Sequence, residues 1–276
     1  MFPSHDPGVK SRAIKRLIVD VPENFSEFRE PFLGGGSMAI EITKRYPDVD
    51  VWVNDMYYNL YNFWVQLRDN GDELYNVLLS TKKQAELNEC KERLKHRKLF
   101  DNSKSSIDDD DDLIQRAAKF YVLNKCSFSG LGQSSSFSKM ASESNFSIKG
   151  IEKLPYYSEL IKNWKITNLD YNTLLTKKAN EGGCFIFLDP PYSIKDNLYG
   201  KNGDMHSGFD HMRFYEDVSS CDESWMITYN SNEVLRERFS KYNQLEWDLT
   251  YTMRSTGEYM KEQKDRKELL IVNYEK

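Results

Sequence analysis

The sequence has little of what builds a disulfide framework or a metal site. It contains four cysteines and four histidines in 276 residues. The cysteines form no C-x-x-C pair and the histidines no H-E-x-x-H arrangement, which are spacings typical of zinc sites. The sequence therefore indicates neither a disulfide framework nor a metal site. We expect reduced thiols at all four cysteines, Cys90, Cys126, Cys184 and Cys221.

Long apolar runs are also missing. No stretch approaches the roughly 18 apolar residues that a membrane-spanning helix requires. The first residues, Met1 to Asp6, lack the charged and then apolar layout of a secretory signal peptide. Hydrophobic residues nevertheless make up 39% of the chain, which supports a packed core. We expect a cytoplasmic protein with no membrane contact.

An excess of positive charge, which many nucleic-acid-binding proteins show, is absent. The formal net charge is −5. Basic residues are instead concentrated in two clusters, at 82–98 and 254–267. Each cluster suits either phosphate contacts or an ordinary solvated face, and composition does not decide between them. The acidic run from Asp108 to Asp112 predicts a solvated loop.

A strand, a glycine turn and a helix open the regular part of the chain. The pattern predicts a strand at 28–33, the turn Gly34-Gly35-Gly36-Ser37, a helix at 38–46 and a second strand at 49–53. Glycines let the backbone approach a ligand, and the helix N-terminus offers N–H groups. Asp55 at the tip of the second strand suits ribose hydroxyls. A dinucleotide site and a plain tight turn both remain open.

The alternation of strands and helices is lost between 82 and 155. A Ser/Gly-rich segment with aromatic residues at 124–138 predicts a polar loop that suits nucleic-acid contact or is simply flexible. We interpret this region as an inserted domain. Alternation resumes afterwards, with strands predicted at 164–167, 184–188 and 225–229 and helices at 172–179, 212–218 and 233–239. The last two predicted strands, 245–253 and 267–274, are expected to pair antiparallel.

The segment Asp189-Pro190-Pro191-Tyr192 directly follows the apolar run Cys184–Leu188. Such a run predicts a buried strand, and open α/β sheets bind ligands at the carboxyl ends of their strands. The prolines stiffen the backbone and bring carbonyl acceptors without N–H groups. Acceptors beside an aromatic ring suit a flat group that donates hydrogen bonds, such as the amino group of a nucleobase. The alternative is a stiffened strand end with a capping aspartate.

With these motifs in this order, the chain resembles the Dam-like (D12 class, alpha group) DNA adenine-N6 methyltransferases. The resemblance runs from Gly8-Val9-Lys10 to the closing strand Glu268–Tyr274. It implies an α/β fold with a Rossmann-like methyltransferase sheet, mostly parallel with an antiparallel C-terminal strand. It also implies an inserted, mainly helical target-recognition domain. The expected boundaries are 1–59 and 166–276 for the catalytic domain and 60–165 for the insertion.

The resemblance implies a role for individual residues. S-adenosyl-L-methionine would be the cofactor, with Lys10 near its methionine carboxylate, Asp55 on the ribose hydroxyls and Asp170 on the adenine amino group. The other implied cofactor contacts are Phe32, Gly34, Gly36 and Asp189. The catalytic residues would be Asp189, Pro190, Pro191 and Tyr192. Double-stranded DNA would be the partner of a monomeric enzyme in a bacterial or phage-infected cell.

Two departures from the family pattern limit what the resemblance carries over. The usual aromatic-x-Gly-Gly-Lys run is replaced by Asp6-Pro7-Gly8-Val9-Lys10. The family's Asn-Gly-x-x-Arg is replaced by Ser129-Gly130-Leu131-Gly132-Gln133, so a GATC target does not carry over. Methylation of RNA adenine or of cytosine N4, and a non-catalytic binding module, remain alternatives. So do restriction, orphan and phage roles.

Overall fold

The computed structural model describes residues 14–88, 96–127, 135–191, 209–248 and 267–275. These residues form two compact units. The first unit contains 55–88, 96–127, 135–168 and Phe209. The second contains 14–54, 169–191, 210–248 and 267–275. The Lys10 and Tyr192 positions, the loop 128–134 and most of the second basic cluster lie outside the described residues.

The described strands form a seven-stranded mixed sheet. In chain order they are β1 (Glu27–Glu30), β2 (Asp50–Asn54), β3 (Lys165–Thr167), β4 (Cys184–Leu188), β5 (Ser224–Asn230), β6 (Asn243–Asp248) and β7 (Lys267–Val272). Across the sheet they follow the order β3-β2-β1-β4-β5-β7-β6. Six of them, all except β3, belong to the second unit.

The described helices are short to medium in length. In the second unit they are a 3-10 turn (Ile18–Asp20), α1 (Ser37–Arg45), α9 (Asn172–Thr176), α10 (His211–Ser219) and α11 (Glu233–Arg238). In the first unit they are α2 (Tyr58–Asp69), α3 (Gly71–Asn88), α4 (Arg97–Ser106), α5 (Leu113–Cys126), α6 (Lys139–Ser144), α7 (Ile148–Ile151) and α8 (Leu154–Leu160). None of the helices in the described ranges is both long and apolar enough to cross a membrane.

Strand pairing confirms the predicted fold class. β1 is parallel to β2 on one side and to β4 on the other, and β4 is parallel to β5. β7 is antiparallel to both β5 and β6. All five residues of β4 are buried, as expected for a strand covered on both faces. The fold is therefore α/β with a mostly parallel sheet and an antiparallel C-terminal strand.

A buried arginine joins β1 to α9 within the second unit. Arg29 has none of its surface exposed, and its Nε donates to Oε1 of Glu27 at 2.8 Å. Its Nη1 also donates to the carbonyls of Leu174 and Lys177 at 2.7 and 2.6 Å. These carbonyls lie at the C-terminal end of α9, where a cation is favourable. The C-terminal end of α9 is thereby held against β1 of the sheet.

The first unit is a helical assembly around buried aromatic rings. Phe63 and Tyr121, on α2 and α5, stack with ring centroids 6.0 Å apart. Trp64 packs against Trp164, just before β3, at 5.7 Å. Aromatic rings bury large apolar areas, so these contacts contribute to the hydrophobic stabilisation of this unit. The described residues of this unit are mainly helical.

The acidic run at 108–112 lies in a loop, as predicted, but its side chains also organise the first unit. The Asp112 side chain caps α5 by accepting from the backbone N–H groups of Ile114 and Gln115. Asp110 pairs with Lys119 at 2.7 Å, which lowers the pKa of that carboxyl. An Asp at the N-cap satisfies donors that a helix leaves unpaired. The run is therefore a structural loop as well as a solvated one.

The first basic cluster is not a uniformly exposed surface. Lys82 is only 4% exposed, and its Nζ lies 2.8 Å from Nε2 of His96. The same ammonium lies 3.3 Å from Glu86 and 4.8 Å from the centroid of the Phe146 ring. A lysine held in this way stabilises the packing of α3 and does not offer its charge to a phosphate. The expectation of an open basic face is therefore wrong at Lys82.

A second buried lysine lies near the C-terminal end of α5. Lys125 is 3% exposed, and its Nζ lies 5.4 Å from the centroid of the Tyr121 ring. Burial lowers the pKa of Lys125 to about 7, because a low-dielectric surrounding disfavours the charged form. Lys125 therefore changes between its charged and its neutral form near neutral pH.

We predict that this lysine makes stability depend on pH above neutrality. In the unfolded chain its pKa is about 10.4, so between the two values the unfolded state binds more protons than the folded state. The free energy of unfolding should rise with pH across this window, by at most about 1.4 kcal/mol per pH unit. Lys125→Met should remove this contribution to the slope.

Denaturant unfolding at about pH 7, 8 and 9 measures the effect. Lys149→Met is the matched control, since Lys149 is an exposed lysine of the same unit. The control should keep the wild-type slope. A Lys125→Met protein whose unfolding free energy follows the wild-type pH dependence would contradict the prediction.

Candidate functional site

The order of the strands reverses between β1 and β4. The chain passes from β1 to β2 on one side, and β4 continues to β5 on the other. β1 and β4 are themselves parallel neighbours, with Glu27 opposite Cys184 and Arg29 opposite Ile186. Where the order reverses, the connections leave in opposite directions and open a crevice at the carboxyl ends of the strands. The glycine turn after β1 and Asp189 after β4 both emerge at this edge.

The turn after β1 requires glycine at two positions. Gly34 has φ 49° and Gly36 has φ 63°, both in the left-handed region. The N–H of Gly36 donates to the carbonyl of Leu33 at 2.8 Å, and the Gly36 carbonyl accepts from Ile40 as α1 begins. A Cβ placed on Gly34 would meet no atom within 4 Å. The backbone therefore faces open space here, with room for a ligand.

Two buried polar side chains hold this turn. Oε2 of Glu30 accepts from the backbone N–H of Ala39 in the first turn of α1 at 2.9 Å, a position where negative charge is favourable. Nδ2 of Asn54 donates to the carbonyls of Pro31 and Leu169 at 3.1 and 2.9 Å. Its Oδ1 accepts from the N–H of Leu169 at 2.8 Å. The segment that carries Asp170 is thus connected to the turn that carries Gly34.

Sequence reasoning assigned no role to Asn54 and used Glu30 only as part of a motif. A signal was available for Asn54, a polar residue that directly follows the apolar run Val51-Trp52-Val53. Glu30 ends a strand of mostly charged residues and gave no such signal. Both side chains are nearly inaccessible, at 1% and 3% exposed. Buried polar groups in proteins are almost always hydrogen-bonded, so such positions predict a structural connection without naming its partner.

An aromatic group lines the same edge. The Phe32 ring lies 5.4 Å from that of Tyr171 and 5.9 Å from that of Phe214. Tyr171 and Phe214 are 5.6 Å apart, and Phe214 lies 6.3 Å from Tyr229. Phe32 is partly exposed, whereas the other three rings are buried. The Phe32 ring is packed against buried rings on one side and is partly accessible, so it is a suitable stacking surface for a flat ligand.

Asp170 is held by two neighbouring residues. Nη2 and Nη1 of Arg213 donate to its Oδ1 and Oδ2 at 2.9 and 3.2 Å. The backbone N–H of Asn172 also donates to Oδ1 at 2.9 Å. The hydrogen bonds to Asp170 raise the pKa of the Arg213 guanidinium. The paired carboxylate points its acceptors in fixed directions, and Arg213 is a site residue that sequence reasoning missed.

Tyr171 extends this network. Its hydroxyl donates to Oδ2 of Asp217 at 2.7 Å, and its ring lies 5.3 Å from the Arg213 guanidinium carbon. Burial, followed by the hydrogen bond to Asp217, raises the pKa of Tyr171. The tyrosine therefore stays neutral at ordinary pH and serves as a fixed wall, not as an acid or base.

Asp189 follows the last residue of β4 and is oriented by β5. The parallel register places Leu188 opposite Ile227, so the residues that follow, Asp189 and Thr228, lie side by side. Oγ1 of Thr228 donates to Oδ1 of Asp189 at 2.9 Å. Thr228 is buried, and Asp189 is partly exposed. The carboxylate is thus fixed by a hydroxyl from the neighbouring strand while part of it still faces outward.

The remaining predicted residues are distributed as follows. Pro190 is buried and Pro191 is partly exposed directly after Asp189. Asp55 belongs to the first unit, where Oδ1 accepts from the N–H of Tyr57 at 2.9 Å in a local turn ahead of α2. Its ribose contact stays a prediction, as do the roles of Lys10 and Tyr192, which lie outside the described residues.

In the described ranges, no group of three or more His, Cys, Asp or Glu side chains is arranged to hold a metal ion.

Comparison with known proteins gives distant relatives. The type II methyltransferase M1.LlaDCHI of Lactococcus lactis subsp. cremoris is 22% identical over 277 aligned residues, covering 97% of this chain and 93% of the relative. M.CviBI of Paramecium bursaria Chlorella virus NC1A is 22% identical, covering 97% of each chain. M.MjaIII of Methanocaldococcus jannaschii is 25% identical over 67% of this chain and 66% of the relative. All three are named as type II methyltransferases.

A family model agrees with these relatives. The model for D12 class N6 adenine-specific DNA methyltransferases matches residues 7–253. The matched range includes the glycine turn, Asp170 and Asp189-Pro190-Pro191-Tyr192. This agrees with the resemblance expected from the motifs and favours DNA adenine over RNA adenine and cytosine N4. The chain belongs to the D12 class of N6 adenine-specific DNA methyltransferases.

Proposed function

We propose that this protein transfers a methyl group from S-adenosyl-L-methionine to N6 of an adenine flipped out of duplex DNA. The observation that carries the proposal is the position of Asp189 at the reversal of strand order. A carboxylate oriented by Thr228 lies there at the same edge as the open glycine turn. This arrangement supports a site in which the methyl donor and the acceptor for the target amine lie side by side.

The described residues fit the cofactor in chemical type. The adenine end of the cofactor needs an aromatic surface and an acceptor for its amino group, which Phe32 and Asp170 supply. The chain of the cofactor needs a close approach to backbone, for which the space beside Gly34 is open. Gly36 completes the turn and begins α1. When bound, the cofactor supplies a methyl group activated by a positively charged sulfur. Lys10 and Asp55 stay predicted contacts to its carboxylate and ribose.

Asp189 and the Pro190 carbonyl hold the target amine in this proposal. The lone pair of an adenine amino group is delocalised into the ring and is weakly nucleophilic. Two acceptors that take its two hydrogens favour a tetrahedral nitrogen and stabilise the positive charge that grows on it. Tyr192 is predicted to stack on the extruded base, whose unstacking costs a few kcal/mol.

The proton balance requires no strong base. A carbon–nitrogen bond forms as the carbon–sulfur bond breaks, and the N6 proton becomes acidic only once the nitrogen carries the methyl group. The Asp189 carboxylate is then already in hydrogen-bonding contact and can accept that proton or pass it to water. Its task is positioning and electrostatic stabilisation, which are worth more in a fixed geometry than in water.

Nucleoside analysis tests the reaction. The protein is incubated with methyl-labelled cofactor and, separately, duplex DNA, single-stranded DNA and RNA. Label should appear in N6-methyladenine from duplex DNA. Label confined to RNA, or found in N4-methylcytosine, would replace the proposed substrate, and no transfer to any of the three would contradict the proposal.

We predict that Asp189→Ala reduces the turnover number at least about a hundredfold, because one acceptor for the target amine is lost. Cofactor affinity should remain within about threefold of wild type, since other residues hold the adenosyl group. Single-turnover methylation and calorimetric binding of S-adenosylhomocysteine measure the two effects. Asp222→Ala, at an exposed aspartate ahead of β5, is the control and should leave both unchanged. Wild-type turnover in Asp189→Ala would rule out the role.

We predict a smaller loss for Thr228→Val, which keeps the side-chain shape and removes the hydroxyl. Loss of one orienting hydrogen bond should lower the turnover number about tenfold without raising the KM for the cofactor. Thr228→Ser should restore most of the rate, because the donor returns. Thr176→Val, whose hydroxyl bonds only within α9, is the control. An unchanged turnover number in a folded Thr228→Val protein would show that the hydroxyl does not orient Asp189 for catalysis.

A further inference from the structure

Arg213 lies beside the residue that the proposed function assigns to the cofactor adenine. It is the third residue of α10 and reaches Asp170, which precedes α9. Its side chain is about half exposed, at 48% of its surface. Holding an exposed arginine in a bidentate contact with a carboxylate costs side-chain conformational entropy. The hydrogen bonds and the charge attraction must offset this cost.

Three contacts hold this arginine in one orientation. The guanidinium donates to both oxygens of Asp170. Its Nε lies 3.4 Å from Oδ2 of Asp217, and its central carbon lies 5.3 Å from the Tyr171 ring centroid. Asp217 in turn accepts from the Tyr171 hydroxyl. Arg213, Asp170, Tyr171 and Asp217 therefore form one connected network next to Phe32.

The hydrogen bonds leave Asp170 with a defined acceptor direction. Each carboxylate oxygen offers about two lone-pair directions. Among the described residues, Oδ1 accepts from Arg213 and from the backbone of Asn172, while Oδ2 accepts from Arg213. One direction on Oδ2 thus remains for an amino group. A carboxylate fixed in this way accepts hydrogen bonds and donates none.

We propose that Arg213 is a positioning residue that sets the specificity of the site for a purine with a 6-amino group. This inference rests on the proposed function, in which Asp170 receives the adenine amine of the cofactor. An amino group donates to the fixed oxygen. A 6-carbonyl group places a second acceptor against it and is disfavoured. Without Arg213, only the Asn172 N–H holds the carboxylate, through Oδ1. Oδ2 is then no longer fixed toward the amine, and the repulsion of a 6-carbonyl group falls as well.

Binding of two ligands that differ only at this position provides the test. Calorimetry measures the affinity of the protein for S-adenosylhomocysteine and for S-inosylhomocysteine. Arg213→Gln should weaken binding of the adenine ligand about threefold to tenfold and leave that of the inosine ligand unchanged or slightly stronger. Arg213→Lys, which keeps the charge without the two-pronged geometry, should fall between.

Arg236→Gln is the matched control. Arg236 is a similarly exposed arginine of the same unit, paired with Glu246 at 2.6 Å through α11 and β6. Its replacement should not alter either affinity. In methylation assays, Arg213→Gln should raise the KM for the cofactor and leave the turnover number unchanged, a division that a general loss of structure would not produce.

Asp170→Asn distinguishes failure of the inference from failure of its foundation. If Asp170→Asn and Arg213→Gln both leave S-adenosylhomocysteine binding unchanged, the proposed adenine contact is wrong and the inference falls with it. If Asp170→Asn weakens binding and Arg213→Gln does not, the contact stands and only the role of Arg213 is overturned. Tighter binding by Arg213→Gln would also overturn it, because the arginine would then compete with the ligand.

Discussion

The parallel pairing of β1 with β4, at the point where the strand order reverses, is the constraint on which the site depends. These strands are separated by more than 150 positions in the chain, yet Glu27 lies opposite Cys184 in the sheet. Because parallel neighbours end at the same edge, the glycine turn and Asp189 emerge together. Any change of register between the two strands would move Asp189 along the edge and turn alternate side chains to the other face.

Side-chain hydrogen bonds fix the orientation of the residues that the sheet brings to this edge. Asn54 connects the turn after β1 to the segment before α9, Thr228 orients Asp189 from the next strand, and Arg213 fixes Asp170. Each connection joins residues that the backbone pairing alone would leave with rotational freedom. The chemistry proposed for the site needs acceptors aimed at two amino groups, one on the cofactor and one on the target base. Fixed acceptors act without reorganising during the reaction.

Much of the second unit follows from local sequence. The apolar run at Cys184–Leu188 forms β4 with the predicted limits, and the glycines at 34 and 36 take the left-handed conformations that the turn requires. The helix predicted at 172–179 ends earlier, at Thr176, where Arg29 donates hydrogen bonds to the carbonyls of Leu174 and Lys177. Partners that lie far apart in the sequence could not be predicted, since the pairing of Thr228 with Asp189 depends on β4 and β5 being neighbours. The burial of Lys82 could not be predicted either, because it depends on a contact with His96 that the composition of the basic cluster does not reveal.

A structure of the protein with duplex DNA and an unreactive cofactor analogue would test the roles of Asp189 and Pro190. We expect an extruded adenine whose N6 lies about 3 Å from both an Asp189 carboxylate oxygen and the Pro190 carbonyl. The position of the transferable methyl should be in line with N6, on the side of the glycine turn. An adenine amine bound to other groups, with Asp189 directed away from the base, would show that Asp189 does not hold the target amine.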